Sequence, residues 1–382
     1  MYLCLESNAK FQLYLHRMFH NVKREKLNQE ARVAKIEKDK PKIESYLSLQ
    51  SLVFEARQNH QYTVESLNKT TDLLMINPEF YTIWNIRRET LLELFAQKQL
   101  DKVKTLEDDL KMIMVLFRRF PKCYWIYNHR LWCLRCLGQS ANWQVELAIV
   151  SKLLSVDQRN FHGWHLRRIV VHNYEVQTPK TPQELLSIYI KEFEFTTSKV
   201  NQNISNFSAW HNRSKLIPKI YKYYQEVDSE FIDQAEDLNK YTQVFSSRLS
   251  LLQHEIKLIN TGMYVDVDDT SVWLYLYWLL SDEFFTEHLD KQVYQRTLEE
   301  QLEIIRELNE LEKDDNGKDN CWCLKTMILI KCLLANVHNN NSAPSDLLTD
   351  EIKSFLEILA DIDPLRKGKY LDQLHGKAEL LY

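Results

Sequence analysis

The sequence predicts an all-α protein: an αα solenoid, a curved array of about seven antiparallel helical hairpins. Three observations predict it. Only six Gly and eight Pro occur in 382 residues, against about 7% and 5% in an ordinary soluble chain, so there is little to break helices. An aromatic residue followed three positions later by a cation recurs as Trp84-Asn85-Ile86-Arg87, Tyr127-Asn128-His129-Arg130, Trp164-His165-Leu166-Arg167 and Trp210-His211-Asn212-Arg213. Trp322-Cys323-Leu324-Lys325 keeps the charge pattern, and Trp273-Leu274-Tyr275-Leu276 is a weaker copy without the cation. The aromatics lie 43, 37, 46, 63 and 49 residues apart, the spacing of a helical repeat with variable loops. Finally, apolar residues between the copies follow the helix period, and the alternation that strands need is absent.

Residues 1–17 have no clear period and read as an N-terminal extension, leaving 18–382 as a single helical-repeat domain. Residues 21–45 hold eight Lys or Arg against five acids with no long apolar stripe, the pattern of a solvated helix or of one that meets an acidic partner. In the first hairpin Leu67, Leu73, Leu74 and Ile76 form the buried side of one helix. Asn77-Pro78-Glu79 makes the turn, and Phe80, Ile83 and Trp84 begin the partner. Leu106, Leu110, Ile113, Met114 and Phe117 do the same for the second hairpin. Asn142 caps the third, with Val145, Leu147, Ile149, Leu153 and Leu154 inward. Thr181, Pro182 and Glu184 are a cap, a first-position proline and a capping-box acid that open the fourth. An acidic stretch between Tyr224 and Tyr241 lengthens the next connection. The fifth hairpin ends in the apolar block Val272 to Leu280, and the sixth surrounds a polar loop from Glu312 to Asn320. The last pair is Asp346 to Ala360 and Pro364 to Leu381.

Composition removes several function classes. A net charge of -4 supplies no basic field to neutralise a phosphate backbone, which argues against nucleic acid as a partner. Glu6, Asn8 and Lys10 interrupt what would have to be an apolar signal core, so the seven cysteines are expected to be reduced, in the cytoplasm. The longest apolar run, Val272 to Leu280, has nine residues, about half of the ~20 that span a bilayer; no transmembrane segment is expected.

Chemistry is expected at the turns. In a stack of hairpins the turns into successive second helices share an edge, where first-turn amides and side chains can face a ligand. Aligning the second and third copies brings Lys122, Tyr124, Asn160 and His162 to that edge. The corresponding turns of the first and fourth copies read Glu79-Phe80-Tyr81 and Ser205-Asn206-Phe207-Ser208, so Lys and His occur in the middle pair alone. The plain alternative makes Lys122 an exposed turn residue and His162 a helix cap. Arg87, Arg130, Arg167 and Arg213 repeat too regularly for a single ligand and are expected to bind carbonyls or acids of neighbouring helices. The tryptophans are expected in the core, each N-H finding an acceptor. Cys133 with Cys136, and Cys321 with Cys323, sit in apolar helix patterns and read as core or surface thiols rather than metal ligands.

These repeats resemble those of the protein prenyltransferase alpha subunits, with the resemblance running from about Met18 to the C-terminus, and Met18-Phe19-His20-Asn21-Val22-Lys23-Arg24-Glu25-Lys26 resembles the beginning of the type II, or Rab, geranylgeranyltransferase branch. The resemblance implies a right-handed superhelix and a catalytic Lys122, Tyr124, Asn160 and His162, with Phe161 where the farnesyltransferase pattern often has Tyr. It implies a heterodimer with a beta subunit that holds zinc, with magnesium as a second candidate cation and none bound by this chain alone. The reaction would move geranylgeranyl from geranylgeranyl diphosphate to C-terminal cysteines of Rab GTPases presented by an escort protein. Two other readings compete: the alpha subunit shared by farnesyltransferase and type I geranylgeranyltransferase, and a noncatalytic helical-repeat scaffold in which Lys122 and His162 are dispensable.

Overall fold

The structure is a computed structural model that describes residues 28–338 and 347–380. The expected extension at 1–17, its boundary with residue 18 and the run from Met18 to Lys26 lie outside the described residues. The chain divides into two compact units, Met1–Gln177 and Thr178–Tyr382. No strand occurs among the described residues.

The first unit begins with α1 (Gln29–Gln58), capped by Asn28. Only Val53 and Ala56 of its residues are buried, as a solvated helix requires, and its last turns pack on α2. Three hairpins follow: α2 (Val64–Ile76) with α3 (Tyr81–Ala96), α4 (Lys102–Arg119) with α5 (Tyr124–Leu137), and α6 (Trp143–Val156) with α7 (Phe161–Val176). Each first helix carries a side-chain cap, from Thr63, Asp101 and, as expected, Asn142. Among its described residues the second unit holds four hairpins. They are α8 (Pro182–Gln202) with α9 (Phe207–Glu226), α12 (Arg248–Val265) with α13 (Thr270–Ser281), α15 (Lys291–Asn316) with α16 (Cys321–His338), and α17 (Asp350–Ile362) with α18 (Lys367–Leu374). Thr181 and Glu184 form the expected capping box of α8. The acidic stretch contains two short helices, α10 (Ser229–Gln234) and α11 (Glu236–Asn239), and α14 (Glu283–Thr286) follows α13.

One turn is used five times among the described residues. The amide of the second helix's N-cap donates to the carbonyl of the first helix's C-cap in Asn77–Phe80 (3.4 Å), Phe120–Cys123 (3.1 Å), Asp157–Asn160 (3.2 Å), Asn203–Asn206 (3.0 Å) and Asp266–Asp269 (3.2 Å). The repeat aromatic stands four residues beyond the N-cap and reaches back to the turn's second carbonyl. Trp84 donates to Pro78 (2.8 Å), Tyr127 to Pro121 (2.7 Å), Trp164 to Gln158 (2.9 Å), Trp210 to Ile204 (2.7 Å) and Trp273 to Val267 (2.6 Å). Each aromatic therefore fills the core while its polar tip closes the turn. The four tryptophans are at most 1% exposed.

The repeat arginines are structural, as expected. Arg87 donates to the Leu67 carbonyl, Thr70 and Thr71 of its own hairpin and to Asp109 of the next. Arg130 joins the Leu110 carbonyl to Glu146 by two bonds of 2.7 Å. Arg213 joins Thr197 to Glu255 (2.6 and 2.7 Å), and Arg167 binds Ser151 (2.8 Å). A planar fork satisfies helix carbonyls on one side and a carboxylate on the other, which a point charge cannot do as well.

Several expectations are corrected. Ile76 and Val145 are 55% and 50% exposed; in α6 the inward positions are Trp143, Glu146, Val150 and Leu154, because Glu146 must reach Arg130. The sixth copy is out of register. Asn320 caps α16, accepting from the Trp322 and Cys323 amides, so the repeat-aromatic position falls on buried Leu324 rather than Trp322. Lys325 instead binds Asp363 (3.3 Å), which also accepts from Arg366 (2.9 Å) and Tyr370 (2.6 Å) and so anchors the last helix. The polar loop is shorter than expected: α15 continues to Asn316, and Gly317 ends it at φ 70, a left-handed position that suits glycine. In the last pair Asp346 lies outside the described residues, α17 starts at Asp350 after the Thr349 cap, and a 3₁₀ turn at Pro364–Arg366 precedes α18.

Candidate functional site

The four expected site residues come together in the first unit, where the turn into α5 meets the turn into α7, but at two depths. Lys122 and Tyr124 face outward, with the Lys122 side chain 48% exposed and Tyr124 51% exposed. Asn160 and His162 lie behind them, buried.

Asn160 is fully committed. Its Oδ1 accepts from the Gly163 amide (3.1 Å), capping α7, and its Nδ2 donates to the Pro121 carbonyl (3.1 Å) and the Tyr127 hydroxyl (3.3 Å). The equivalent cap one hairpin earlier, Cys123, donates from Sγ to the Pro78 carbonyl (3.4 Å). Tying one turn to the preceding one is thus a repeated task, and Asn160 performs it under Lys122.

His162 packs in an aromatic nest, its ring centroid 3.9 Å from Phe161, 5.1 Å from stacked Tyr127 and 5.8 Å from Tyr124. Burial pushes its pKa below the usual value, only partly opposed by a hydrogen bond to the Lys122 backbone. At neutral pH the ring is therefore neutral, and one N-H is given to the Lys122 turn. Phe161, a ring without a hydroxyl, is 68% exposed.

Between the turns lies a contact that motif alignment missed. Lys122 Nζ stands 3.4 Å from Asp157 Oδ2, with the carboxylate side chain 28% exposed. Asp157 is the C-cap of α6, and its signal in the sequence was an acid three residues before Asn160. Beyond Tyr124 the aromatic surface continues to Trp125 (5.1 Å between centroids) and Tyr81 (5.3 Å from Trp125). A half-exposed ammonium on a buried, hydrogen-bonded base can meet an anion, with Tyr124 beside it as a hydroxyl donor.

A second polar cluster, inside the same unit, has the composition of a metal site but not its chemistry. Ligand atoms of Asp109, His129 and Cys133 lie within 4.8 Å of one another. However, Arg88 Nε donates to His129 Nδ1 (3.2 Å), so Nε2 carries the proton and donates to Asp109 Oδ2 (2.8 Å). Arg87 grips both carboxylate oxygens, and burial raises the Cys133 thiol well above its usual pKa. A metal would need the lone pair of Nε2, a thiolate and a free carboxylate; Arg88 opposes the first, burial the second and Arg87 the third. Zinc therefore does not fit this cluster. No described helix is long and apolar enough to cross a membrane.

Comparison with known proteins finds relatives of the helical repeat. The protein prenyltransferase alpha subunit repeat matches residues 106–137, 143–174 and 189–220, the second to fourth hairpins. Hairpins one and five share the same turn and aromatic tie outside the matched spans. The geranylgeranyl transferase type-2 subunit alpha of Candida albicans is 47% identical over 375 residues, covering 96% of this chain and all of that one. Its Saccharomyces cerevisiae counterpart is 37% identical over 358 residues, covering 93% and 98%. The human protein of the same name is 32% identical over 253 residues, 66% of this chain and 40% of its own length. Among solved structures, a chain of Candida albicans protein geranylgeranyltransferase-I complexed with GGPP matches with a TM-score of 0.58 at 18% identity, over 88% of this chain and 91% of that one, a likeness of fold. The chain belongs to the protein prenyltransferase alpha-subunit family, among the geranylgeranyl transferase type-2 alpha subunits.

Proposed function

We propose that this chain is the alpha half of a Rab geranylgeranyltransferase and that Lys122 is its main contribution to the chemistry. In this reading a beta subunit completes the enzyme and holds zinc and the lipid, geranylgeranyl diphosphate is the donor, and C-terminal cysteines of a Rab GTPase presented by an escort protein are the acceptors. A thiolate sulfur attacks the first carbon of the isoprenoid, the carbon–oxygen bond breaks, and its electron pair leaves with the diphosphate. Negative charge grows on the departing oxygens, and preorganised donors that meet it lower the barrier. Lys122 supplies a full positive charge and Tyr124 a hydroxyl. Asn160 and His162 hold the Lys122 turn from beneath, through the Pro121 carbonyl and the Lys122 backbone, so their role is positioning.

The observation that carries the reading is the singularity of this turn: among the five equivalent turns, only here is the third residue a lysine, and it is supported by a buried histidine of the next hairpin. The test is Lys122→Ala assembled with a type-2 beta subunit and assayed with escort protein and Rab. Turnover is expected to fall on the order of a hundredfold with assembly intact. Full turnover in the assembled variant would remove Lys122 from the mechanism, and failure of the native chain to pair with a type-2 beta subunit would remove the Rab reading.

A further inference from the structure

We propose that Asp157 is the resting counter-ion of Lys122: the carboxylate holds the ammonium when the site is empty, yields it to the diphosphate, and reclaims it as diphosphate leaves. This rests on the assignment of Lys122 to the diphosphate made above.

Three observations carry the inference. First, the pair is long and wet, 3.4 Å apart with side chains 48% and 28% exposed, whereas the buried pair Arg130–Glu146 has bonds of 2.7 Å. An exposed pair of this kind biases an equilibrium by about fivefold at most, weak enough for a multiply charged anion to displace it.

Second, Asp157 forgoes the use its equivalents make of the same position. Asn77, Asn203 and Asp266, the other Asn or Asp residues at this C-cap, each accept from the amide two residues on, at 3.1 Å. The Asp157 carboxylate is instead directed to Lys122. A short polar side chain that bonds its own turn is the locally favoured state, so reaching across to another hairpin marks a specific partner.

Third, the place of the carboxylate does not depend on the lysine. The two turns are tied independently of the ion pair by Asn160 on Pro121 and Tyr127 and by His162 on the Lys122 backbone. The flexible lysine stem can swing to an anion while Asp157 remains close enough to compete. No proton transfers in the exchange; ammonium and carboxylate both stay charged. The consequence lies in product release, because an ammonium with a waiting carboxylate lets diphosphate go more readily than one without.

The experiment uses the assembled heterodimer and inorganic diphosphate as the probe, inhibiting geranylgeranyl transfer competitively with the lipid diphosphate. Asp157→Asn is expected to tighten diphosphate inhibition by about three- to fivefold and to lower KM for the lipid diphosphate together with kcat, while Asp157→Glu restores native behaviour. In a Lys122→Ala background the Asp157→Asn effect should vanish. If Lys122→Ala weakens diphosphate but Asp157→Asn does not tighten it, the counter-ion inference is overturned and the Lys122 assignment stands. If Lys122→Ala leaves diphosphate inhibition unchanged, the parent reading falls and the inference falls with it. An equal Asp157→Asn effect in both backgrounds would make Asp157 a turn residue and overturn the inference.

Discussion

The interior of the first unit and its turn edge use the same kinds of polar group to opposite ends. Inside, Arg87 with Asp109 and Arg130 with Glu146 are nearly inaccessible, bonded at both ends of the guanidinium, and repeated from hairpin to hairpin. At the edge, Lys122 and Asp157 are half-solvated, joined by one long contact, and occur once. A buried charge must be fully paired or it costs several kcal/mol, so burial enforces geometry and repetition. A solvated charge can exchange one partner for another at little cost, so it can serve a ligand. Repetition with burial therefore identifies scaffold, and singularity with exposure identifies candidate chemistry.

The sharpest way to break this comparison is to unpair an interior arginine. Glu146→Ala leaves Arg130 buried without its carboxylate and should cost about 3 to 5 kcal/mol in unfolding free energy. Trp164→Ala, which deletes a core aromatic together with its turn bond, belongs to the same class at about 3 to 5 kcal/mol. Denaturant midpoints close to native for both would show that the interior is no more committed than the edge. Lys122→Ala should do the reverse, raising the barrier to transfer by about 3 kcal/mol at an unchanged melting temperature; a large loss of stability would place the lysine with the scaffold.

Acid sharpens the comparison further. Burial, assisted by Arg87 and Arg88, pushes His129 down to about 4 from its ordinary 6.5. Above pH 6.5 the ring is neutral in both folded and unfolded chains. Between pH 6.5 and about 4 the unfolded chain takes up a proton that the folded one refuses, so stability falls as pH falls, by on the order of 3 kcal/mol, and levels off below. Asp109 adds to the loss beneath pH 3.8: burial raises its pKa, but bonds from His129 and Arg87 outweigh that and hold it at about 2. Stability of His129→Gln measured across this range should lose most of the slope between pH 6.5 and 4. A slope identical to that of the native chain would clear His129. The smallest effect belongs to a cap: Thr181→Ala, removing one side of the α8 capping box, should cost about 1 kcal/mol, and an unchanged midpoint would mean that the box contributes nothing beyond solvent.

Helix, hairpin and repeat were legible from residue order because they depend on local spacing. An aromatic four residues past a cap lands over its own turn whatever the rest of the chain does, and Thr181-Pro182-Gln183-Glu184 starts a helix by bonds it makes with itself. The sixth copy was misread for the same reason: Trp322 and Lys325 have the right spacing from each other, but Asn320 sets where the helix begins and so shifts the register. The site was half legible. Lys122 and His162 stood out as residues that do not repeat, whereas the commitment of Asn160 to Pro121 and the reach of Asp157 to Lys122 depend on how one hairpin lies against the next.

By itself, then, the sequence determined the helices, their hairpins, the repeat arginines' structural purpose and the edge on which the singular residues fall, since all of these follow from periods of a few residues. Only the tertiary structure decided which acids pair with which arginines, that Asn160 and His162 lie beneath Lys122 rather than beside it, and that Asp157 faces the lysine. Those contacts join residues some sixteen to forty positions apart in the chain, and no local period encodes a distance that is set by the packing of one hairpin on another.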